Sequence, residues 1–284
     1  MSQHWMRGIT RRFTFTLAAG AALLALCGSA AGAQAALPSL NISITATGVA
    51  VGGATQSGAV NVITTAAKGL KEPTPILVRL HSGATVAEVE AQLTSKNSDP
   101  NSVGKVGDIV FDAEGVPGGT SEAQTTLSPG TYVALNIEGA PKGSTPHAVF
   151  TVTASPAPAA LPAPAAVVKT IDFGFKGPRT LKTGSVVRFQ NEGFLVHMDI
   201  AFPVKSHAAA LKLAQALLKG RNKAAEKLVA GPPLAFHGPL SNGAMQQETL
   251  TARPGWYVQA CFMGTQDGRE HTRLGMERVI RIVK

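Results

Sequence analysis

A phrase that occurs twice constrains the fold of this chain more than any other feature. Pro129-Gly-Thr-Tyr-Val133 lies in the first half, and Pro254-Gly-Trp-Tyr-Val258 lies in the second half. Between them, residues 154–166 alternate Pro and Ala, a composition that favours a stiff extended spacer without a core of its own. The repeat and the spacer predict two similar domains, at residues 36–153 and 167–284, joined by a linker at 154–166.

The elements predicted around each phrase follow the same order. Gly58-Ala-Val-Asn-Val-Ile-Thr and Gly184-Ser-Val-Val-Arg-Phe189 each begin a strand, and further β-branched runs with Gly/Pro turns follow. A helix interrupts each half: Thr85-Val-Ala-Glu88 has capping-box spacing, and apolar residues recur at helical spacing between residues 206 and 229. Short alternating strands favour an all-β fold, so we predict two tandem β-sandwiches, each with a helical insertion.

The first 35 residues have the pattern of a secretory signal peptide. Arg7, Arg11 and Arg12 precede an apolar run over residues 13–27, and small residues with Ala-x-Ala spacing follow. A twin-arginine signal and a lipoprotein box ending at Cys27 are weaker alternatives. The pattern predicts export to the periplasm or secretion, and no later segment is apolar for long enough to span a membrane.

The charge of the chain narrows the class of partner. Loss of the three signal arginines lowers the formal net charge from +9 to about +6. No cluster of Lys and Arg interleaves with aromatic residues, so nucleic acid is not an expected partner. A mildly basic surface suits an acidic redox partner protein or a membrane surface.

Cysteine usage points to a metal. If Cys27 leaves with the signal, Cys261 is the one cysteine of the mature chain, and an internal disulfide is excluded. A lone thiol in an oxidising compartment has to be buried or metal-bound, and a buried inert cysteine is the plain alternative. The same loop, however, carries His271 and Met276, and His197 lies at a strand far upstream.

Two imidazoles, a thiolate and a weak thioether form the ligand set of a type 1 copper site. Soft sulfur donors favour Cu(I) and imidazole serves both oxidation states, so such a set suits an ion that carries one electron. We predict copper ligands at His197, Cys261, His271 and Met276. Met263 could replace Met276 as the axial donor. His237 is predicted in a loop, where it could replace an imidazole ligand but is more simply a surface or packing residue.

The second half resembles the cupredoxins, the plastocyanin- and azurin-like blue copper proteins. The matching residues are Asn191-Glu-Gly-Phe-Leu-Val-His197, Gly255-Trp-Tyr-Val-Gln-Ala-Cys261 and His271-x4-Met276. The resemblance covers residues 167–284 and implies a Greek-key β-sandwich, bound copper and electron transfer in an exported compartment. One departure is the loop of nine residues between Cys261 and His271, in which Asp267-Gly268 predicts a protruding turn.

The first half has the same pattern without the ligand set. Counting from the shared phrase places Asn136 at the thiolate position and His147 close to the position of His271. Pro75 is expected at the position of His197. We therefore predict that the N-terminal domain is a degenerate cupredoxin-like copy without metal.

Missing residues argue against enzymatic classes. The chain has no His-x-His pair for a trinuclear copper centre, no second mature cysteine for a binuclear one, and no Gly-x-Ser-x-Gly nucleophile. A Cys261–His271 nucleophile pair would leave His197 and Met276 unexplained. We predict an exported blue copper electron-transfer protein that is not an enzyme. The alternatives are a periplasmic copper carrier without a redox role and a structural tandem sandwich with vestigial ligands.

Overall fold

A computed structural model of the chain describes residues 36–94, 100–137 and 145–284. The predicted signal peptide at residues 1–35 lies outside the described residues. Strand is the main secondary structure of the described chain and little of it is helix, so the all-β prediction is confirmed. No helix in the part of the chain that the structure describes is both long enough and apolar enough to cross a membrane.

The described residues of the first half form eight strands in two sets of four. One set contains β1 (Ser39–Ile44), β2 (Val49–Gly53), β3 (Gly58–Ala66) and β6 (Thr120–Leu127). The other set contains β4 (Pro75–Leu80), β5 (Gly107–Asp112), β7 (Gly130–Asn136) and β8 (His147–Val152). Helix α1 (Val86–Thr94) and a 3₁₀ turn (Pro100–Lys105) connect β4 to β5.

The second half has nine strands with the same general arrangement. One set contains β9 (Ala166–Ile171), β10 (Gly174–Lys176), β12 (Val186–Asn191) and β15 (Met245–Thr249). The other contains β11 (Thr180–Lys182), β13 (His197–Val204), β14 (Leu234–Leu240), β16 (Gly255–Ala260) and β17 (Glu277–Val283). Helices α2 (His207–Leu218) and α3 (Asn222–Glu226) lie between β13 and β14, and a 3₁₀ turn (His271–Leu274) precedes β17.

Strand order repeats between the halves. The largest sheet has eight strands, four from each half. From its two edges inward, the order is β2-β1-β3-β6 in the first half and β10-β9-β12-β15 in the second, and β6 and β15 meet in the middle. The second sheets run β5-β4-β7-β8 and β14-β13-β16-β17, with β11 added at the edge of the latter. The strand directions match as well, since β1 lies parallel to β3 and β9 lies parallel to β12.

Local sequence explains the helical insertions. The backbone N–H of Thr85 donates to Glu88 Oε2 (2.8 Å) and that of Glu88 donates to Thr85 Oγ1 (3.3 Å), which confirms the predicted capping box at α1. Ser206 caps α2 by accepting from the Ala209 N–H at 3.2 Å. Helix α2 buries Ala210, Leu213 and Leu217, the spacing of one helical face.

The buried side chains form three clusters, and one of them belongs to both halves. The first half encloses a core around Leu40, Phe111 and Tyr132, and the second half encloses one around Phe189 and Phe236. The third cluster packs apolar side chains of β4, α1 and β5 against side chains of β13, α2 and the loop after β16; its members include Val78, Val89, Val103, Ile109, Met198, Phe202, Leu213, Cys261, Met263 and Met276.

The predicted linker makes hydrogen bonds with both halves. Ala159 O accepts from the Ala59 N–H at 2.8 Å, and Pro162 O accepts from the Arg188 side chain at 3.0 Å. The Ala165 N–H donates to Val186 O at 2.8 Å, and β9 then begins at Ala166. The segment is therefore held along its length, and the division into domains at residues 36–153 and 167–284 stays a prediction.

Candidate metal centre

The four predicted ligands come from the ends of three neighbouring strands. His197 is the first residue of β13, Cys261 directly follows β16, and Met276 directly precedes β17. Strand β16 pairs antiparallel with β13 on one side and with β17 on the other. The start of β13, the end of β16 and the start of β17 therefore lie at one edge of the sheet, where His271 opens the 3₁₀ turn that leads into β17.

Three donor atoms from these ends converge. The Sγ atom of Cys261 lies 3.8 Å from His197 Nδ1 and 3.5 Å from His271 Nδ1. The two Nδ1 atoms lie 3.2 Å apart. All three side chains are fully buried, and they form the one group of metal-ligating His, Cys and acidic residues found within the described residues.

The separations fit a metal ion. The circumradius of a triangle with sides of 3.2, 3.5 and 3.8 Å is about 2.0 Å, so one point lies about 2.0 Å from all three donor atoms. Metal–imidazole bonds are about 2.0–2.1 Å and metal–thiolate bonds about 2.3 Å in zinc sites, so a transition-metal ion would need only a small shift of the sulfur. The donor set is trigonal N₂S, and the cluster is suited to copper.

Both candidate thioethers lie in the apolar cluster around Cys261. Met276 is fully buried and Met263 is 5% exposed. The Cys261 N–H donates to Met276 O (3.2 Å), which ties the backbone of Met276 directly to the thiol-bearing residue. Met263 O instead accepts from the His271 N–H at 2.8 Å.

The ring of His197 is held from its far side. Its Nε2 lies 3.0 Å from Asp172 Oδ1, and because Nδ1 faces the other donors, Nε2 carries the proton and donates to the carboxylate. Asp172 also accepts from the backbone N–H groups of Phe194 and Leu195, both at 3.1 Å. Gly193 permits this contact, because a Cβ there would lie 2.5 Å from Nε2.

The electrostatics of these two residues follow from their surroundings. Partial burial raises the pKa of Asp172, but the hydrogen bonds from Leu195, His197 and Phe194 outweigh it and hold the pKa below its usual value. Burial lowers the pKa of His197, and the Asp172 carboxylate opposes that effect only in part. At neutral pH the pair is therefore a neutral imidazole donating to a carboxylate.

Burial also governs the other two donors. It raises the pKa of the Cys261 thiol to about 12, against the effect of hydrogen bonds from the Met198 and Met263 N–H groups. Burial and the nearby His197 lower the pKa of His271 to about 4. In the metal-free protein at neutral pH the thiol is protonated and the imidazoles are neutral. A metal ion would have to displace the thiol proton, so binding would release a proton.

The outer edge of His271 is covered by an aromatic ring. Phe173 packs edge-on against the imidazole with ring centroids 5.3 Å apart. Phe173 adopts φ 61°, a left-handed conformation, at the turn between β9 and β10. The Nε2 atom of His271 is buried and has no hydrogen-bond partner among the described residues.

The long loop between Cys261 and His271 folds back on itself. Gly264 and Glu270 form a β-bridge, and the Thr265 N–H donates to Arg269 O at 2.8 Å. The turn reverses at Gly268, whose φ of 79° favours glycine, as the Asp267-Gly268 pair predicts. The inserted residues therefore protrude as a small turn, and the chain returns to the site at His271.

The strand register corrects two predictions about the first half. Asn136 is the equivalent of Cys261: its N–H donates to Pro146 O at 3.0 Å, as that of Cys261 donates to Met276 O. Asn136 pairs with Pro75 in the first half. In the second half Ala260, one residue before Cys261, pairs with Ile200, so the position opposite Cys261 is Asp199. Pro75 therefore matches Asp199 and not His197. His147 pairs with Leu135 as Glu277 pairs with Ala260, so it matches Glu277 and not His271.

Three other histidines of the described residues lie outside the donor cluster. His237 was predicted in a loop, but it lies fully buried in β14, where its Nδ1 is 2.6 Å from Gly238 O. His207 begins α2, is exposed, and packs on Trp256 with ring centroids 4.5 Å apart. His81 lies 3.3 Å from the Asp108 carboxylate, outside the second sheet of the first half.

Sequence reasoning missed the residues that hold the ligands in place. Asp172 lies in a hairpin turn about 25 residues before His197, and nothing in its local pattern marks it as a partner of an imidazole. Asn101 is more distant still, because it belongs to the first half. Its side chain accepts from the Val196 N–H at 2.9 Å and donates to Gly264 O at 2.8 Å.

Comparison with known proteins finds similarity to solved structures only. No family model matches the chain, and no curated protein matches it. Most of the solved structures found are cupredoxins. Reduced auracyanin from Roseiflexus castenholzii is 19% identical with a TM-score of 0.27, over 42% of this chain and 95% of that one. Auracyanin A from Chloroflexus aurantiacus, described as a "blue" copper protein, is 21% identical with a TM-score of 0.25, over 41% and 96%.

A larger match covers both halves. Copper nitrite reductase from Nitrosomonas europaea, an enzyme, is 12% identical with a TM-score of 0.24, over 87% of this chain and 93% of that one. These TM-scores are low, so the case for the site comes from its own geometry. The described chain is all-β, and its buried His, Cys, His and Met side chains lie at adjoining strand ends. This donor set is suited to copper.

Proposed function

We propose that the chain is a type 1 copper protein of the electron-transfer kind, exported to the periplasm or secreted. His197, Cys261 and His271 would hold the copper ion. The observation that carries the proposal is the convergence of one thiol sulfur and two Nδ1 atoms, 3.2 to 3.8 Å apart, in a fully buried position.

The protein's contribution would be to fix these donors before the ion binds. Bound copper would supply one-electron chemistry between Cu(I) and Cu(II). Strand ends fix the backbone of the ligands, Asp172 orients the His197 ring, and the Met198 N–H lies 3.4 Å from the thiol sulfur. Donors held in this way would move little between oxidation states, and their burial would exclude water.

We propose Met276 as the residue that would supply the thioether ligand, with Met263 as the alternative. The hydrogen bond from the Cys261 N–H to Met276 O supports this assignment, because it couples the backbones of the two residues at the strand ends. Met263 lies within the protruding loop, where its carbonyl oxygen is bound to the His271 N–H.

The surface next to His271 suits a redox partner. Phe173 packs against the imidazole and is itself exposed, and Phe194, next to the Asp172 contact, is 86% exposed. Arg273 belongs to the same 3₁₀ turn as His271. We propose an acidic partner protein that approaches here, in keeping with the mildly basic net charge.

One observation favours a copper carrier without a redox role as the second candidate. Both imidazoles have no exposed surface, so an electron has to cross the covering side chains to reach the ion. A carrier would bind Cu(I) tightly and exchange electrons slowly. The electron self-exchange rate of the copper-loaded protein distinguishes the two candidates.

Copper loading of the mature protein tests the proposed site. One equivalent of Cu(II) should give an intense thiolate-to-copper charge-transfer band in the visible spectrum. Cys261→Ser should abolish the band, because the oxygen ligand that it introduces does not give this transition. His147→Ala is the matched control: it removes an imidazole that lies 2.8 Å from Glu90 in the first half, and it should leave the band unchanged.

The contrary outcome is equally clear. A wild-type protein that takes up no copper and gives no charge-transfer band would contradict the proposal. The chain would then be a structural tandem sandwich with vestigial ligands.

A further inference from the structure

One side chain of the first half contacts both ligand-bearing loops of the second half. Asn101 lies in the 3₁₀ turn Pro100–Lys105. Its Oδ1 accepts from the Val196 N–H (2.9 Å), and its Nδ2 donates to Gly264 O (2.8 Å). These partners are 95 and 163 residues away in sequence, so the amide joins segments that no local structure connects.

Each partner is next to a predicted ligand. Val196 immediately precedes His197, and its N–H lies just outside β13, which begins at His197. Gly264 lies in the loop between Cys261 and His271 and forms a bridge with Glu270, the residue before His271. The two hydrogen bonds of Asn101 therefore fix the approach to one imidazole and the base of the loop that carries the other.

Apolar contacts around Asn101 strengthen the connection. Val103, from the same 3₁₀ turn, is fully buried, as is Val89 of α1. Both belong to the cluster that contains Cys261, Met263 and Met276. The first half thus contributes buried apolar side chains to the cluster that holds the thiol and both thioethers.

We propose that the first half is a clamp for the metal site of the second half, and that Asn101 is its positioning residue. The inference rests on the proposed copper site. Asn101 does not touch the ion. It holds the His197 approach and the Cys261–His271 loop at a fixed separation, so that the three donor atoms are already in place before metal binding. This gives the copy without a ligand set a role in the chemistry of the other copy.

Two variants of the whole mature protein separate the two hydrogen bonds. Asn101→Ala removes both, and Asn101→Asp keeps an acceptor for the Val196 N–H but loses the donor to Gly264 O. Asn61→Ala is the matched control, because Asn61 is an asparagine of the same half whose side chain donates to Glu122 at 3.3 Å, away from the site. Urea unfolding verifies that each variant is folded.

The first measurement needs no metal. In the copper-free protein, amide hydrogen exchange at Val196 should become at least about tenfold faster in Asn101→Ala, and the segment 262–270 should lose protection. Asn101→Asp should spare Val196 and affect mainly the loop. Asn61→Ala should match the wild type at both places.

The second measurement uses the copper-loaded protein. Loss of a residue that orients metal ligands typically lowers metal affinity about 10–100-fold, so copper release to a chelator should accelerate by a similar factor in Asn101→Ala. The charge-transfer band and the reduction potential should also shift, which a merely structural contact would not cause.

Either of two results would overturn the inference. One is unchanged exchange at Val196 and in the loop. The other is faster exchange with copper release, spectrum and potential all at wild-type values, since the contact would then have no effect on the metal. A wild-type protein that binds no copper refutes the proposed function instead, and the copper-free exchange experiment still tests whether Asn101 holds the loops.

Discussion

At the scale of single residues, His197 is the most constrained side chain of the site. Its Nδ1 faces two other donors, its Nε2 donates to Asp172, and Gly193 lies so close that no larger residue fits beside the ring. A carboxylate partner increases the electron density on the imidazole, which stabilises the more highly charged state of a bound ion. Asp172 is therefore expected to favour Cu(II) over Cu(I).

Asp172→Asn tests this electrostatic role. The amide still fits beside the ring but lacks the negative charge, so Cu(II) affinity should fall about 10–100-fold. If the loss of Cu(I) affinity is ten times smaller than the loss of Cu(II) affinity, the reduction potential rises by about 59 mV. Voltammetry of the copper-loaded protein measures this rise. Asp267→Asn removes the same charge from the protruding turn, where its partners are Thr265 and Arg269. An equal rise in both variants would contradict a specific role for Asp172.

The residue types of the site were predictable, and their supports were not. A thiol, an imidazole and a thioether in one loop identify a metal chemistry, because that chemistry needs those atoms. Asp172 and Asn101 act through carboxylate and amide groups that occur throughout any sequence. Their roles depend on which hairpin or 3₁₀ turn lies beside the ligands, and only the packed chain determines that.

At the scale of elements, the shared sequence phrase forms the same corner in both halves. The Tyr132 hydroxyl donates to Ser128 O, and the Tyr257 hydroxyl donates to Arg253 O, each at 2.8 Å and four residues back. Each bond fixes the entry into a strand, β7 in one half and β16 in the other. A tyrosine corner of this kind is characteristic of Greek-key sandwiches.

Tyr132→Phe and Tyr257→Phe test whether the two corners are equivalent. Each change removes one hydroxyl and keeps the ring, so each should lower the free energy of unfolding by about 0.5–1.5 kcal/mol. Urea denaturation measures the loss, and the charge-transfer band of the loaded protein should persist in both variants. A variant with the wild-type free energy of unfolding would show that its tyrosine hydroxyl does not stabilise the fold.

Strand register explains where counting along the sequence went wrong. Strand β13 begins two residues before Asp199, the equivalent of Pro75, so matching the first residues of β4 and β13 does not reach equal positions. Pro75 and His147 were misplaced for related reasons, because ladder pairing and not residue count defines equivalence. His237 was misplaced because Gly238-Pro239 suggested a loop, yet β14 is an edge strand, where a proline is tolerated.

At the scale of the whole molecule, the two halves are joined in several places. Strands β6 and β15 join their first sheets through Gln124 and Gln247, whose side chains are 3.0 Å apart. Ser241 exchanges two hydrogen bonds of 2.9 Å with the backbone of Ile109. A small cavity of about 50 Å³ also lies at this junction, lined by residues of both halves that include Phe111, Glu122, Gln246 and Glu248.

The carboxyl of Glu248 makes the stability of this junction dependent on pH. Burial, together with the charge of Asp199, raises its pKa to about 8 from the ordinary 4.5. Between about pH 4.5 and 8 the Glu248 carboxyl is protonated in the folded state and ionised in the unfolded state. The free energy of unfolding therefore falls as the pH rises through this range. Glu248→Gln should reduce this slope by at most about 1.4 kcal/mol per pH unit.

Urea denaturation at several pH values between 5 and 8 measures the slope. Asp199 has its pKa raised to about 8 and Glu277 to about 7, both through burial, so some slope should remain in the variant. Glu226→Gln, at an exposed position of α3, is the control for loss of a carboxylate. A Glu248→Gln protein with the wild-type slope would contradict the assignment.

The sequence by itself determined the parts of this protein that depend on residue type and local order. Strand periodicity, the repeated Pro-Gly-x-Tyr-Val phrase, the capping box, and the Cys, His and Met of the loop at residues 261–276 are all patterns within short stretches of sequence, so each carries its physical reason locally. The tertiary structure decided what depends on long-range pairing. Register determined which positions are equivalent in the two halves, and packing brought Asp172 to His197 and Asn101 to both ligand loops. Hydrogen bonds across 25 to 163 residues leave no trace in local sequence, because their partners meet only when the chain is folded.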